Sequence, residues 1–318
     1  MSDGLIAITG GTGFIGQHLV RRLAEQGRNI RLLVRNSKAG AELCTRENVD
    51  YVRGDIENNR SLDLLMEDAE TVLHLASRNF AVTRAEFART NRTGTQNVVK
   101  AAQAAGVRQF VYLSSLAARE PDLSGYAASK ARAEDDLRRL CADRGPSWVI
   151  VRPPAVYGPG DRATLPMLQA LNSPIALLPG RAEARFSLIY VEDLVDAIVG
   201  VIGDAAVSGK TIELDDGTPG GYDWPSLARM AGEVRGKTVR PIFLPRSVMT
   251  AAAGAVEFGA RVTQSTPMIA RGKVRELYHI NWVCENTELQ KSGAWQPKTK
   301  FAEGFRKTVS WYKDAGWI

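Results

Sequence analysis

A doubly wound parallel α/β sheet followed by a smaller mixed α/β lobe is the fold this 318-residue sequence predicts. Three observations predict it. Short apolar, β-branched runs alternate with longer helical patterns through the first half; a glycine-rich loop joins the first run to the first helix; and the alternation stops after Arg152, where prolines crowd. Repeated strand, helix, strand units build parallel sheets with right-handed crossovers. With 44% hydrophobic and 24% charged residues the chain has a globular composition, long enough for one large or two modest domains.

The runs at 5–9, 30–34, 49–53, 71–75, 110–114 and 148–152 read as strands, because continuous apolar stretches suit strands covered on both faces. Helices are expected over 14–26, 85–105 and 126–142; in the first, Ile15, Leu19 and Leu23 recur on one face. Pro153, Pro154, Pro159, Pro166, Pro174 and Pro179 then mark a change of character. A first domain is therefore placed at 1–160, with a returning strand near 211–214, and a second lobe at 161–318. That lobe is expected to hold helices at 191–202, 224–234, 247–260 and 301–315.

Forty-one Lys and Arg against 35 Asp and Glu give a net charge of +6, which favours anionic partners without choosing among them. The basic residues Arg21, Arg22, Arg28, Arg31 and Arg35 lack interleaved aromatics, so nucleic acid is not expected, and cofactor attraction or solvation explains them. Cys44, Cys141 and Cys284 are odd in number and far apart, which suits buried thiols in a reducing compartment. No signal-peptide pattern opens the sequence and the small-apolar stretch 248–256 is too short to span a bilayer, so a cytoplasmic protein without a membrane span is expected. His18, His74 and His279 are scattered and imply no metal. Gly209-Lys210-Thr211 imitates the end of a P-loop but precedes a strand.

The first strand runs into Thr9-Gly10-Gly11-Thr12-Gly13-Phe14-Ile15-Gly16 and then an amphipathic helix, the setting of a dinucleotide-binding, Rossmann-type turn. One glycine turns the chain, one lets backbone approach the pyrophosphate, and one allows helix and strand to pack closely. The helix N-terminus adds oriented N–H groups for the phosphates. The spacing is G-x-x-G-x-x-G. After the second strand come Arg35 and Lys38 with no carboxylate nearby, which favours the 2′-phosphate of NADP, NAD being the alternative.

The fifth strand ends in Ser114-Ser115, and Tyr126-Ala127-Ala128-Ser129-Lys130 opens a helix. Residues four apart share a helix face, so the Lys130 ammonium is expected to lower the Tyr126 phenol from its usual ~10 and let it exchange a proton near neutral pH. A serine at the strand end can hold a substrate oxygen within reach of that proton.

These motifs resemble the extended short-chain dehydrogenase/reductase superfamily, with its NAD-dependent epimerase/dehydratase and 3β-hydroxysteroid dehydrogenase/dihydroflavonol reductase branches. The loop carrying Gly10, Thr12, Gly13, Phe14, Ile15 and Gly16 matches the family's TGGTGFIG, Asp55-Ile56 its adenine-contacting D-[ILV], and His74-Leu75-Ala76 its HLA. Asn91, Gly94, Thr95 and Asn97 match N-x-x-G-T-x-N, the run from Arg152 to Gly160 resembles RP-x-x-VYGPG, and Val191-Glu192-Asp193-Leu194 resembles V-x-D-[LV]. The resemblance implies Ser115, Tyr126 and Lys130 as the catalytic set, with Ser114 the less suited serine. Tyr126 would be the general acid, Ser115 would polarise the carbonyl, and Lys130 would bond the nicotinamide ribose and tune Tyr126. It implies Leu75, Ala76, Asn91, Pro153 and Val156 as further cofactor contacts, and a homodimer formed through the Asn91 and Tyr126 helices.

Two departures bear on substrate. Sugar-nucleotide members usually carry an arginine seven residues before the V-x-D aspartate; here Phe186 holds that place and Arg185 is displaced by one. Only ten residues separate Ser115 from Tyr126, which shortens a loop that often frames a sugar. In the second lobe Phe243, Met249, Phe258, Met268 and Trp282 can line an apolar cleft or fill the core. The expected function is an NADP-dependent oxidoreductase interconverting a ketone and a secondary alcohol on a small or lipid-like apolar molecule. The alternatives are a nucleotide-sugar epimerase or dehydratase with tightly bound NAD, and a non-catalytic NADPH-binding structural or assembly protein.

Overall fold

The computed structural model describes residues 4–263, 269–293 and 295–318. The first half runs β1 (Leu5–Thr9), α1 (Phe14–Glu25), β2 (Ile30–Val34), α2 (Ser37–Leu43), β3 (Val49–Arg53), α3 (Asn59–Met66) and β4 (Ala69–His74), then α4 (Arg84–Phe87), α5 (Gly94–Ala104), β5 (Gln109–Leu113), α6 (Gly125–Leu140) and β6 (Ser147–Arg152). It continues through β7 (Ala155–Tyr157), α7 (Leu165–Leu171), β8 (Ile175–Pro179), β9 (Arg185–Phe186), β10 (Leu188–Tyr190), α8 (Val191–Gly200) and β11 (Lys210–Glu213). The remainder is α9 (Trp224–Arg235), β12 (Arg240–Leu244), α10 (Arg246–Thr263), α11 (Arg271–Leu277), β13 (Asn281–Trp282), α12 (Thr287–Ser292) and α13 (Phe301–Asp314).

Seven parallel strands form one sheet in the order β11-β6-β5-β4-β1-β2-β3, with β11 at the edge beside β6. Alternate residues of each strand feed two cores. Ile6, Ile8, Leu32, Val111 and Val149 pack against Leu19 and Leu23 of α1 and Leu194 and Ile198 of α8. Ala7, Leu33, Val72, Phe110 and Ile150 pack against α3, α5 and α6 through Leu62, Val98, Ala133 and Leu137. The strand order reverses between β1 and β4, so the loops leaving those strands part and open a crevice at the carboxyl edge.

The C-terminal lobe combines helices with three two-stranded pairs, β10-β7, β12-β8 and β13-β9. Its core holds Tyr157, Leu168, Leu178, Trp224, Phe301 and Phe305.

The helix expected over 85–105 is α4, a π-helical turn at Ala88–Thr93, and α5. Helices α2 and α3 lie outside the patterned stretches and are started by the side chains of Asn36 and Asn58, which accept from the backbone N–H groups of Lys38 and Ser61. Cys44 is only half-buried, unlike the expected buried thiol, whereas burial pushes Cys141 and Cys284 up to about 11 and about 12. Arg21 and Arg22 are not idle surface charges: they tie α1 to α8 through Glu192 at 2.6 and 3.0 Å. Arg31 donates to the carbonyls of Leu64 and Glu67. Of the five apolar candidates, Phe243 packs against the lobe core and Met249 against α11. Trp282 donates its indole N–H to the Glu276 carbonyl at 2.9 Å. Phe258 is exposed, hence not core, and Met268 lies outside the described residues.

Candidate active site

The loop after β1 uses its three spaced glycines differently. Gly10 has φ +78° and sits against the end of β4: a Cβ there would come within 2.6 Å of the Ala76 nitrogen. At Gly16 a Cβ would overlap the Gly10 carbonyl oxygen, so this glycine sets the close approach of α1 to the loop. Gly13 is exposed, and its only neighbour at Cβ distance is the Gly10 carbonyl at 3.3 Å. It is the N-cap of α1, yet no side chain caps the helix and its first turn carries no acidic residue. Orphan N–H groups at a twelve-residue helix, beside a glycine with no side chain in the way, fit a pyrophosphate. Thr12, Phe14 and Ile15 share that turn; Phe14 packs edge-on against His18 and Ile15 against the core.

The stretch from Asn91 to Asn97 organises three loops around this crevice. Asn91 is buried; its amide donates to the Arg78 carbonyl and the Ser129 hydroxyl and accepts from the Arg78 N–H and the Ser77 hydroxyl. All four positions of the side chain are thereby used within the protein, so it shapes the wall and offers the cofactor no free side-chain group. Asn97 donates to the Ile56 carbonyl, and Gly94 lies so close to Ile56 that any Cβ would overlap it. Thr95 meets His74 at 2.9 Å, and His74 meets Thr9 at 2.6 Å. Burial and the Lys130 charge push this imidazole down to about 3, so it is neutral and structural. The Asp55 carboxylate caps its own loop through the Glu57 N–H.

At the carboxyl ends of β2 and β3, Arg35, Lys38 and Arg53 are exposed, and among the described residues none has a carboxylate within ion-pair distance. Unpaired cations of this kind attract anionic groups. Across the sheet, the Pro153 carbonyl accepts from the Leu116 N–H, and Val156 pairs with Ile189 where β7 meets β10.

Ser115 follows β5 and caps a short 3-10 turn, accepting from the Ala117 N–H at 3.2 Å. Tyr126 lies in the first turn of α6, with Ser124 as N-cap, and packs edge-on against Phe87. The Ser115 hydroxyl bonds to the Tyr126 phenol and favours its ionised form. The expected depression of Tyr126 is nevertheless not what this site produces. Burial, with the Glu276 carboxylate adding to it, pushes the phenol up to about 12. Burial likewise pulls Lys130 down to about 7 against the opposing pull of Glu134. Lys130 donates to the Leu113 carbonyl at 2.8 Å and sits 4.8 Å from the centre of the Tyr112 ring, so it is held by protein contacts on the sheet side.

Behind this pair lies a buried network that residue spacing alone does not reveal. Glu134, one turn beyond Lys130, accepts from the Ser114 hydroxyl at 2.6 Å, from Arg152 at 2.8 and 2.6 Å, and from Arg138 at 2.9 Å. Ser114 is thus spent on Glu134 and leaves Ser115 as the serine facing Tyr126. The (i, i+4) placement of Glu134 after Lys130 is the one sequence signal for it. Glu134→Gln should destabilise the protein by about 3 kcal/mol, because it leaves the Arg152 guanidinium short of its buried partner; urea unfolding at neutral pH measures this, and unchanged stability refutes it.

The C-terminal lobe closes the site. Glu276 of α11 is buried, accepts from the Ser124 hydroxyl and pairs with Lys273 at 3.0 Å. Phe186, at the position where sugar-nucleotide enzymes usually carry arginine, packs at a tilt against Trp224 with ring centres 4.7 Å apart. Neighbouring Arg185 is paired with Asp223 at 3.0 Å and so does not replace it. Among the described residues no group of three or more His, Cys, Asp or Glu side chains is arranged to hold a metal ion.

The profile of the NAD dependent epimerase/dehydratase family matches residues 6–214. Ceramide reductase of Caulobacter vibrioides is 40% identical over 317 residues, covering 99% of this chain and 96% of that protein. UDP-glucose 4-epimerase of Vibrio cholerae is 29% identical over 235 residues, covering 67% of this chain and 70% of that one. Among solved structures, gox2253 superimposes with a TM-score of 0.76 over 100% of both chains at 22% identity, a likeness of fold.

Proposed function

This chain belongs to the NAD dependent epimerase/dehydratase family and is an NAD(P)-dependent enzyme of the extended short-chain dehydrogenase/reductase type, and from that premise we infer that it reduces a ketone on a lipid-like, long-chain substrate with NADPH. One observation carries the choice of an apolar ketone over a sugar diphosphate: the wall that would need a cation presents Phe186 packed against Trp224, with Arg185 committed to Asp223. The full-length similarity to a ceramide reductase supports the same choice and points to a keto lipid amide as the first substrate to try.

When bound, the nicotinamide cofactor supplies the hydride. Gly10, Gly13 and Gly16 would cradle its pyrophosphate, Asp55 and Ile56 the adenine, Arg35 and Lys38 the 2′-phosphate, and Lys130 the nicotinamide ribose. The Tyr126 phenol, protonated throughout the neutral range, gives its proton to the carbonyl oxygen as hydride reaches the carbon, and is reprotonated from solvent. Ser115 donates a hydrogen bond to the same oxygen. Lys130 in its charged form offsets the negative charge left on Tyr126. The high pKa that contradicts the sequence expectation suits this direction of reaction, since an acid must hold its proton until the carbonyl needs it. The homodimer and the cytoplasmic location belong to the same proposal.

The direct test incubates the purified protein with NADPH and a long-chain keto amide, and separately with UDP-glucose. Consumption of NADPH with formation of the lipid alcohol supports the reading; conversion of the sugar nucleotide without added cofactor supports the epimerase instead, the reading that the Vibrio cholerae relative favours. Arg35→Ala should weaken NADPH by about 10- to 100-fold, the loss of one charge-assisted contact, and leave NADH nearly unchanged. Fluorescence titration with both nucleotides checks this, and an equal loss for the two removes Arg35 from the 2′-phosphate site.

A further inference from the structure

We propose that the outer face of α10 docks this protein onto an anionic lipid bilayer. The inference goes beyond the reductase reading and stands without it.

Four large apolar side chains on this helix are exposed: Val248 by 54%, Val256 by 42%, Phe258 by 71% and Val262 by 70%. At 100° per residue they share one arc with Ala251, Ala252, Ala255 and Gly259, and that arc carries no charge. The opposite side is already used, since Met249 and Ala253 pack against Val274 and Tyr278 of the adjoining segment. The apolar exposure extends back along the chain. Ile242 of β12 and its register partner Leu177 on β8 are both exposed, and only Pro245 separates β12 from α10.

Charge selects the occupant. Residues 237–275 contain Lys237, Arg240, Arg246, Arg261, Arg271, Lys273 and Arg275 against Glu257 alone, a net +6; the 34 Lys and Arg elsewhere are matched by 34 Asp and Glu. Glu276, next in the chain, pairs with Lys273, so this segment carries five of the protein's six excess positive charges. Lys237, Arg240 and Arg246 are exposed, with no carboxylate partner among the described residues. A second copy would bring like charge against like charge, which opposes pairing through this face. A bilayer containing anionic lipid offers acyl chains to the apolar arc and headgroup phosphates to the flanking cations.

Helix α10 also stands near the chemistry, through its inner side. Helix α11 lies against α10, and its Glu276 accepts from Ser124, two residues before Tyr126. A bilayer-resident substrate would enter from that side.

The test is co-sedimentation of the full-length protein with vesicles of phosphatidylcholine alone and of phosphatidylcholine mixed with phosphatidylglycerol. Binding is expected to the mixed vesicles, weaker to the neutral ones, and reduced by high salt. Phe258→Glu and Val262→Glu, both at exposed positions, should lower partition about tenfold or more while circular dichroism and NADPH binding stay as in the wild type. Arg240→Glu, on the same strand face as Ile242, should do the same through charge. Failure to bind the mixed vesicles, binding that ignores lipid charge, or a solution dimer that Phe258→Glu converts to monomer would each overturn the proposal. The catalytically impaired Tyr126→Phe protein is expected to bind vesicles like the wild type, which separates this inference from the reductase reading.

Discussion

Tyr126→Phe should lower turnover by about 10³-fold and leave NADPH affinity within a factor of about two. The ring would remain against Phe87 and the N-cap at Ser124 would be untouched, so the variant keeps its fold and loses only the hydroxyl. The proton donor to the carbonyl oxygen disappears, and Ser115 cannot replace it because a serine hydroxyl is a far weaker acid than a phenol. Steady-state kinetics paired with a nucleotide titration separates the two quantities. Wild-type turnover in the variant, or a parallel collapse of NADPH binding, contradicts the assignment.

Lys130→Met should reduce turnover by about 10²-fold or more and, unlike the tyrosine change, weaken the cofactor as well. Its pH behaviour is more diagnostic. Burial holds Lys130 near 7 in the folded protein without cofactor against an ordinary value of 10.5. Between those values the unfolded chain binds more protons than the folded one, so the stability of the cofactor-free protein rises with pH across that window and levels off at its lowest below about 7. The methionine variant should lack this slope and be the more stable protein near pH 6, where the wild type buries an ammonium. In the free wild-type enzyme kcat/KM for reduction should fall as pH rises through about 7, because Lys130 loses the charge that supports Tyr126. Denaturant titrations across pH measure the first effect and a pH-rate profile the second; a wild-type stability curve no steeper than the variant's would place Lys130 in a wetter setting than the structure shows.

Much of the framework is legible in the sequence because it depends on local pattern. The run from Gly10 to Gly16 between an apolar strand and an amphipathic helix specifies a turn whose glycines have separate backbone duties, and β1, α1 and β2 follow with little error in their ends. The four-residue step from Tyr126 to Lys130 likewise places both on α6.

What local pattern misses is set by packing. Spacing suggests that Lys130 acidifies Tyr126, but the balance is decided by how much water each group loses and by Glu276, which arrives from a helix far along the chain. Asn91 reads as a cofactor contact until its four hydrogen bonds are seen to be taken by Arg78, Ser77 and Ser129. Glu134 looks like one more charge on a helix, yet it is buried beneath Arg152, and Ser114 turns toward it. The small strand pairs of the second lobe escape because β9 and β13 are two residues long and owe their pairing to neighbours distant in sequence. Phe258 fits a cleft by composition; only the packing of α10 on α11 decides that its side faces outward.

The proposed reaction is net hydride delivery from an exchangeable NADPH to a carbonyl carbon on an apolar substrate. The most direct measurement supplies NADPH deuterated at the transferable position together with a long-chain keto amide, and follows the product by mass spectrometry. One deuterium at the carbinol carbon for each NADP formed, lost in the Tyr126→Phe protein, is the predicted result. An alcohol without label, or no product beside a sugar nucleotide that interconverts on retained NAD, would contradict it.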